Sequence, residues 1–248
     1  MLPTTIEDMF NTGRIEDKSL CPIIPRVEER IHGGMYLRVT TIPPNTFIEG
    51  ATHKKDAISI LLKGTIIQID GKERYQISAP SFVTTNAGTS RQAFSLTEVS
   101  YATITATDET DLNKIEEVLY EEESINTKAK KDYDALLLEL DMTQEQVEED
   151  MNKFPVLLTS MEGFKRDISA LGGYGMFTTK EFKEGEILGV MYDGENKTLL
   201  GRYTNHAPTP NVTYLRQDGK VYMKSKYDLP TGVELFLNYR ESLRCLQQ

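Results

Sequence analysis

The spacing of apolar residues changes period twice along this chain, and that limits what it can become. Before residue 109, and again after residue 155, apolar side chains fall in short runs rich in Val, Ile, Thr and Tyr. They are "GMYLRVTTI" (34–42), "AISILLKGTIIQIDG" (57–71), "TEVSYATITA" (97–106), "EILGVMY" (186–192), "NVTYLRQDGKVYMKS" (211–225) and "VELFLNY" (233–239). β-branched and aromatic residues suit a pleated, half-buried surface, so these runs predict strands. Gly and Pro punctuate them, and Asp70-Gly71 and Asp218-Gly219 predict two-residue hairpin turns. Many short strands at close spacing in the first segment predict a barrel or jelly-roll sandwich.

Between these regions the period is helical. Leu112, Ile115, Val118 and Leu119 follow Asp111 as a candidate cap, and Tyr133, Leu136, Leu137 and Leu140 form a second stripe. Thr143 and Gln146 predict a capping box that opens a third helix. The expected organisation is therefore a β-rich domain over 1–108, a helical connector over 109–155 and a second β-rich domain over 156–248, a mainly β protein.

Net charge follows the same division. Residues 109–155 hold 5 basic and 15 acidic side chains, against 11 and 12 before them and 12 and 11 after them. The whole excess of −10 thus lies in the middle segment. A solvated helical face accounts for it, as does an acidic dock for a basic partner. No Lys/Arg stripe exists to draw affinity from phosphates, so nucleic acid is not an expected partner.

Nothing approaches 18 consecutive apolar residues, so no membrane span is expected. "MLPTTIEDMF" lacks the basic start and apolar stretch of a signal peptide. The two cysteines, Cys21 and Cys245, read as reduced thiols of a cytoplasmic protein.

One stretch resists a purely structural reading. "YTNHAPTPN" (203–211) places His206, one of three histidines, between Asn205 and a proline-punctuated run ending at Asn211. Alone it reads as a turn, since Pro208 and Pro210 bias their predecessors toward extended backbone. Its neighbours change that. Gly173-Tyr174-Gly175 precedes it, Lys183 to Glu186 forms a "KEGE" turn, and "ELFLNY" ends at Tyr239.

These four elements, in this order, resemble the SET-domain lysine methyltransferases, most of all the minimal single-domain histone methyltransferases of large DNA viruses. The resemblance implies a β-rich SET fold with S-adenosylmethionine as cofactor and a protein lysine as acceptor, and the acidic segment would suit a basic tail. It implies cofactor contacts from Gly173, Tyr174, Gly175, Arg202, Asn205 and His206, with His206 packed under a threaded C-terminal strand. Glycines at 173 and 175 let backbone approach a ligand closely. Tyr239 matches the family's active-site tyrosine, which orients the sulfonium methyl and the acceptor amine. Tyr192 and Tyr174 are candidates for the walls of the acceptor channel, or for core packing. Transfer requires a neutral amine, although a lysine ordinarily titrates near roughly 10.4; burial and a nearby positive charge lower that value.

The chain departs from the family at Ala207, commonly Ser, and at Asn238, often acidic. Only 29 residues separate Gly175 from Asn205, too few for the usual insert that walls the peptide groove. A dimer mate or the helical segment would have to complete that wall. Otherwise the fold serves as a binding platform in a phage structural or assembly protein.

The first segment, "IEGATHKKDAISILLKGTIIQIDG … SAPSFVTTNAGTSRQAF", resembles a cupin barrel of the style carried by phage proteins. His53 fits one metal-ligand position, but Ala51 and Ala57 stand where partners are expected. A single imidazole does not hold a transition metal at ordinary affinity. The expectation is a metal-free domain for dimerisation or substrate selection, with His53 a surface or pocket residue. A metal-dependent cupin enzyme lacks its ligands. A phage-encoded chain would work in the host cytoplasm or in the virion.

Overall fold

A computed structural model of the chain describes residues 23–70, 73–153, 156–157, 160–194 and 196–241. Cys21, Cys245 and Gly71 lie outside the described residues. The chain divides into two compact units, Pro25–Ser124 and Ile125 onward, the second taking in Ile24. Both are mainly β.

In the first unit the strands are β1 (Arg26–His32), β2 (Met35–Ile42), β3 (Thr46–Glu49), β4 (Ala57–Lys63), β5 (Thr65–Asp70), β6 (Glu73–Ser78), β7 (Ser81–Thr85), β8 (Gln92–Ser95) and β9 (Val99–Ala106). They form two antiparallel sheets, β1-β2-β9-β4-β7 and β3-β8-β5-β6. Strand β1, "RVEERIH", carries exposed Arg26, Glu28 and Arg30 at every second position. Charge on an edge strand discourages pairing with other chains, and it also hides the strand from a hydrophobic pattern.

Register decides which residues share a face. Tyr36 pairs with Thr105, Arg38 with Thr103 and Thr40 with Tyr101, and Ala57, Ser59 and Leu61 lie opposite the same three residues of β9. The short helix α1 (Ile115–Leu119) buries Ile115 and Leu119 against Tyr36. Asp111 does not open it. Its carboxylate accepts from the Asn113 amide at 2.9 Å in a preceding turn, and Leu112 stays exposed. The local Asx bond competes with the helix and delays its start to Ile115.

The second unit holds α2 (Ile125–Glu139), α3 (Gln144–Lys153), β10 (Val156–Leu157), β11 (Phe164–Ile168), β12 (Tyr174–Thr178), β13 (Ile187–Asp193), β14 (Asn196–Thr198), α4 (Leu199–Tyr203), β15 (Asn205–His206), β16 (Val212–Gln217), β17 (Lys220–Ser225) and β18 (Phe236–Leu237). Its sheets are β10-β14-β13-β17-β16, β11-β12 and β15-β18. Met176, Leu188, Met191, Val212, Met223, Leu229 and Leu235 form the main core. Asp218 and Gly219, at φ 51 and 75, make the expected hairpin turn between β16 and β17. Thr143 and Gln146 close the expected capping box: the Thr143 amide donates to Gln146 Oε1 at 2.7 Å and the Gln146 amide to Thr143 Oγ1 at 3.3 Å.

Two expectations change here. The helical stretch divides between the units: α1 is buried in the first, and Ala129 of α2 packs with Ile24, Ala207 and Phe236 in the second. Short amphipathic helices gain their stability from burying a stripe against a neighbouring layer, and here each does so within its own unit. "VELFLNY" is not one continuous strand either. Glu234 bridges to Phe177, Phe236–Leu237 pair in parallel with Asn205–His206, and a helical turn begins at Tyr239.

Candidate functional site

Gly173 ends a turn with φ 65, a left-handed conformation that suits glycine, and a side chain there would meet open space. Gly175 is different. A Cβ on it would lie 2.7 Å from Glu234 Cδ. The carboxylate of Glu234, a residue only 3% exposed, occupies the room that a side chain at 175 would need.

Glu234 is held from several directions. Asn205 Nδ2 donates to its Oε1 at 2.9 Å and the Ala170 amide to its Oε2 at 3.1 Å. Burial raises the pKa of this carboxyl, and bonds from Ser169, Asn205 and Ala170 only partly oppose the shift. Asn205 Nδ2 also donates to the Tyr174 carbonyl at 3.1 Å, so one side chain ties the glycine strand β12 to the C-terminal segment. Fully buried Asn211 does similar work: its amide donates to the Glu234 carbonyl at 2.7 Å, and its Oδ1 accepts from the Phe236 amide at 2.8 Å.

His206 lies beside the Phe236–Leu237 strand, paired in parallel with Leu237. Its Nδ1 accepts from the Tyr239 amide at 3.0 Å, so Nε2 carries the proton and donates to Asp132 Oδ2 at 2.7 Å. Burial lowers the His206 pKa more than the Asp132 contact raises it, which leaves the ring neutral near pH 7. Arg240 Nη1 donates to the same Asp132 oxygen at 2.9 Å, and Arg240 grips Glu139 through Nε and Nη2 at 2.8 and 3.0 Å. The Tyr239 ring lies 5.3 Å from His206, and its hydroxyl donates to the Thr204 carbonyl at 2.8 Å. Burial pushes the Tyr239 hydroxyl pKa well up, with Tyr133 and Tyr192 adding to the shift and Arg202 opposing it.

A cationic and aromatic cluster adjoins Tyr239. Arg166 lies over the rings of Tyr174 and Tyr203, at 4.6 and 5.1 Å, and donates to the Tyr203 hydroxyl at 3.0 Å. Arg202 lies 5.4 Å over Tyr203. Lys197, 6% exposed, points its amine over the Tyr192 ring at 5.6 Å. Burial, and then the charge of Arg202, push the Lys197 amine down to about 8.

The residues singled out from sequence therefore share one region of the second unit. Asn205 touches Tyr174 and the carboxylate that faces Gly175, His206 touches Tyr239, and Tyr192 and Tyr239 pack against the same core. Tyr174 is 54% exposed and stacked on Arg166, so core packing is not its role. Tyr192 does pack against the main core. Sequence reading missed Glu234, Asp132, Arg240 and Lys197. Asp132 stood in α2, whose three lysines and three acids give no charge signal. Glu234 stood within the quoted "VELFLNY", but its contact with Gly175 is visible only in three dimensions.

In the first unit His53 stacks edge-on against Tyr120 at 5.1 Å. Its Nδ1 is buried without a hydrogen-bond partner among the described residues, as is Thr105 Oγ1. No group of three or more His, Cys, Asp or Glu among the described residues could hold a metal ion. No described helix is long and apolar enough to cross a membrane.

No protein-family model matches the chain, and no curated protein is significantly similar to it. Solved structures that resemble part of it include an acetylacetone dioxygenase from Acinetobacter johnsonii, at 12% identity and TM-score 0.30 over 36% of this chain and 64% of that one. A cupin superfamily protein from Desulfitobacterium hafniense matches at 9% identity and TM-score 0.30, over 35% and 79% of the two chains. An RmlC-like cupin family protein with a double-stranded β-helix fold from Methanocaldococcus jannaschii matches at 10% identity and TM-score 0.30, over 35% and 83%. Likeness of this extent says nothing about activity.

Proposed function

We propose that the second unit is a SET-type, S-adenosylmethionine-dependent protein-lysine methyltransferase, and that the first is a metal-free, cupin-like domain for dimerisation or substrate selection. One observation carries the reading. The Asn205–His206 strand runs parallel to Phe236–Leu237 and ends on Tyr239, whose amide and ring both meet His206. That arrangement joins the two most informative motifs, which lie about thirty residues apart in sequence, at a single point.

The residue types suit the cofactor. S-adenosylmethionine supplies an activated methyl group on a sulfonium centre. Arg166 and Arg202 offer guanidinium groups for a carboxylate, the exposed Tyr174 ring offers a stacking face, and Gly173 opens onto unfilled space. Tyr239 would keep its hydroxyl protonated and fixed on the Thr204 carbonyl, which leaves the oxygen's lone pairs as acceptors for an amine proton. Asp132 would fix the His206 ring, and through it the Tyr239 backbone. Catalysis would come from position and electrostatics.

A second reading treats the unit as a binding platform in a structural or assembly protein. The short span from Gly175 to Asn205 and the Glu234 carboxylate packed against Gly175 favour it. Calorimetric titration with S-adenosylmethionine, followed by mass spectrometry of methylated proteins, decides between them. Binding with methyl transfer supports the enzyme; no binding at high micromolar cofactor overturns it.

A further inference from the structure

The span where the family's groove-walling insert would stand holds β13, β14 and α4 instead. Strand β14 pairs Lys197 directly opposite Tyr192, and Thr198 caps α4 by accepting from the Gly201 amide at 3.2 Å. That cap fixes the backbone next to Lys197, and β10 pairs with the strand from its other side. The result is a lysine almost withdrawn from solvent, with its amine over the face of a tyrosine that neighbours Tyr239.

We infer that Lys197 occupies the acceptor-lysine position of this site and is itself a methyl acceptor, so that the chain modifies its own β14. The inference rests on the methyltransferase reading above and adds the acceptor to it. Burial and the Arg202 charge favour the neutral amine, so near pH 8 about half of the amines carry the lone pair that transfer needs. In the step, that lone pair forms the new N–C bond while the S–C bond of the sulfonium breaks. The bonding pair leaves with sulfur as a neutral thioether, and the surplus proton on nitrogen passes to solvent. Tyr192 would steady the methylated ammonium by cation–π attraction.

Two readouts on the wild-type chain test this. In the first, acetic anhydride labels Lys197 across a pH series without cofactor, then with S-adenosylhomocysteine. A midpoint near 8 and labelling slowed several-fold by S-adenosylhomocysteine are expected. A midpoint at the ordinary lysine value, or indifference to S-adenosylhomocysteine, overturns the inference. In the second, the protein is incubated with S-adenosylmethionine alone and digested. The Lys197 peptide should gain the mass of a methyl group at a rate independent of protein concentration. Calorimetric cofactor binding with an unmodified Lys197 overturns the inference and leaves the methyltransferase reading standing. Absence of cofactor binding overturns both.

Discussion

Gly175 and Glu234 exclude each other's alternatives: a methyl group on the first would fall within 2.7 Å of the second's carboxyl carbon. Gly175→Ala should expel the Glu234 carboxylate from its bonds with Asn205 and Ala170 and cost about 2–4 kcal/mol, the sum of overpacking and a buried bond lost. Urea denaturation measures it. Adding Glu234→Ala should recover part of the loss, and strictly additive effects would contradict the contact.

Asn211 bonds the backbone on both sides of Leu235 from a fully buried position. Asn211→Ala leaves a buried carbonyl and a buried amide without their partner, so a loss of about 2–3 kcal/mol is expected. Asn211→Asp should also destabilise, since it loses the donor to the Glu234 carbonyl and adds a buried acid.

Acid should weaken the second unit through two groups. His206 titrates below its ordinary 6.5 because of burial, so as pH falls past 6.5 the unfolded chain gains a proton that the fold resists. Burial raises the Asp132 pKa, but bonds from His206 and Arg240 outweigh it and hold the carboxyl below 3.8. Its contribution is complete above 3.8 and is lost as pH falls through the folded value. Asp132→Asn should therefore flatten the acid limb of a stability–pH curve. An unchanged limb would remove Asp132 from the account.

Lys197 carries a signature of the same sign in an alkaline window. Its pKa falls from 10.5 unfolded to about 8 folded, so stability rises with pH between those values. Lys197→Met should lift Tm more at pH 7 than at pH 10, as thermal melts at the two pH values would show. An equal effect at both would mean that the amine is not desolvated.

Within the first unit, Arg38 reaches Glu116 at 3.0 Å, with both side chains largely buried. Arg38→Ala should cost about 3–5 kcal/mol by leaving a carboxylate uncompensated. Combining it with Glu116→Gln should return much of that loss.

Local pattern missed the Asp111 cap but carried eight of the eighteen described strands and two short-range devices, the Asp218-Gly219 turn and the Thr143–Gln146 box. Each depends on residues a few positions apart, whose geometry follows from backbone preferences. Strand β1 was illegible because edge position favours charge over apolar alternation. The candidate site was legible only as a set of motifs in order.

What the amino-acid sequence determined alone is a mainly β chain that carries Gly-x-Gly, Asn-His and C-terminal tyrosine elements in that order. Tertiary structure decided the rest. It made Gly175 the counterpart of Glu234, gave α2 a working carboxylate in Asp132, and set Lys197 over Tyr192. These contacts join residues 5 to 74 positions apart, and period and propensity carry no information about which side chains a fold will bring together.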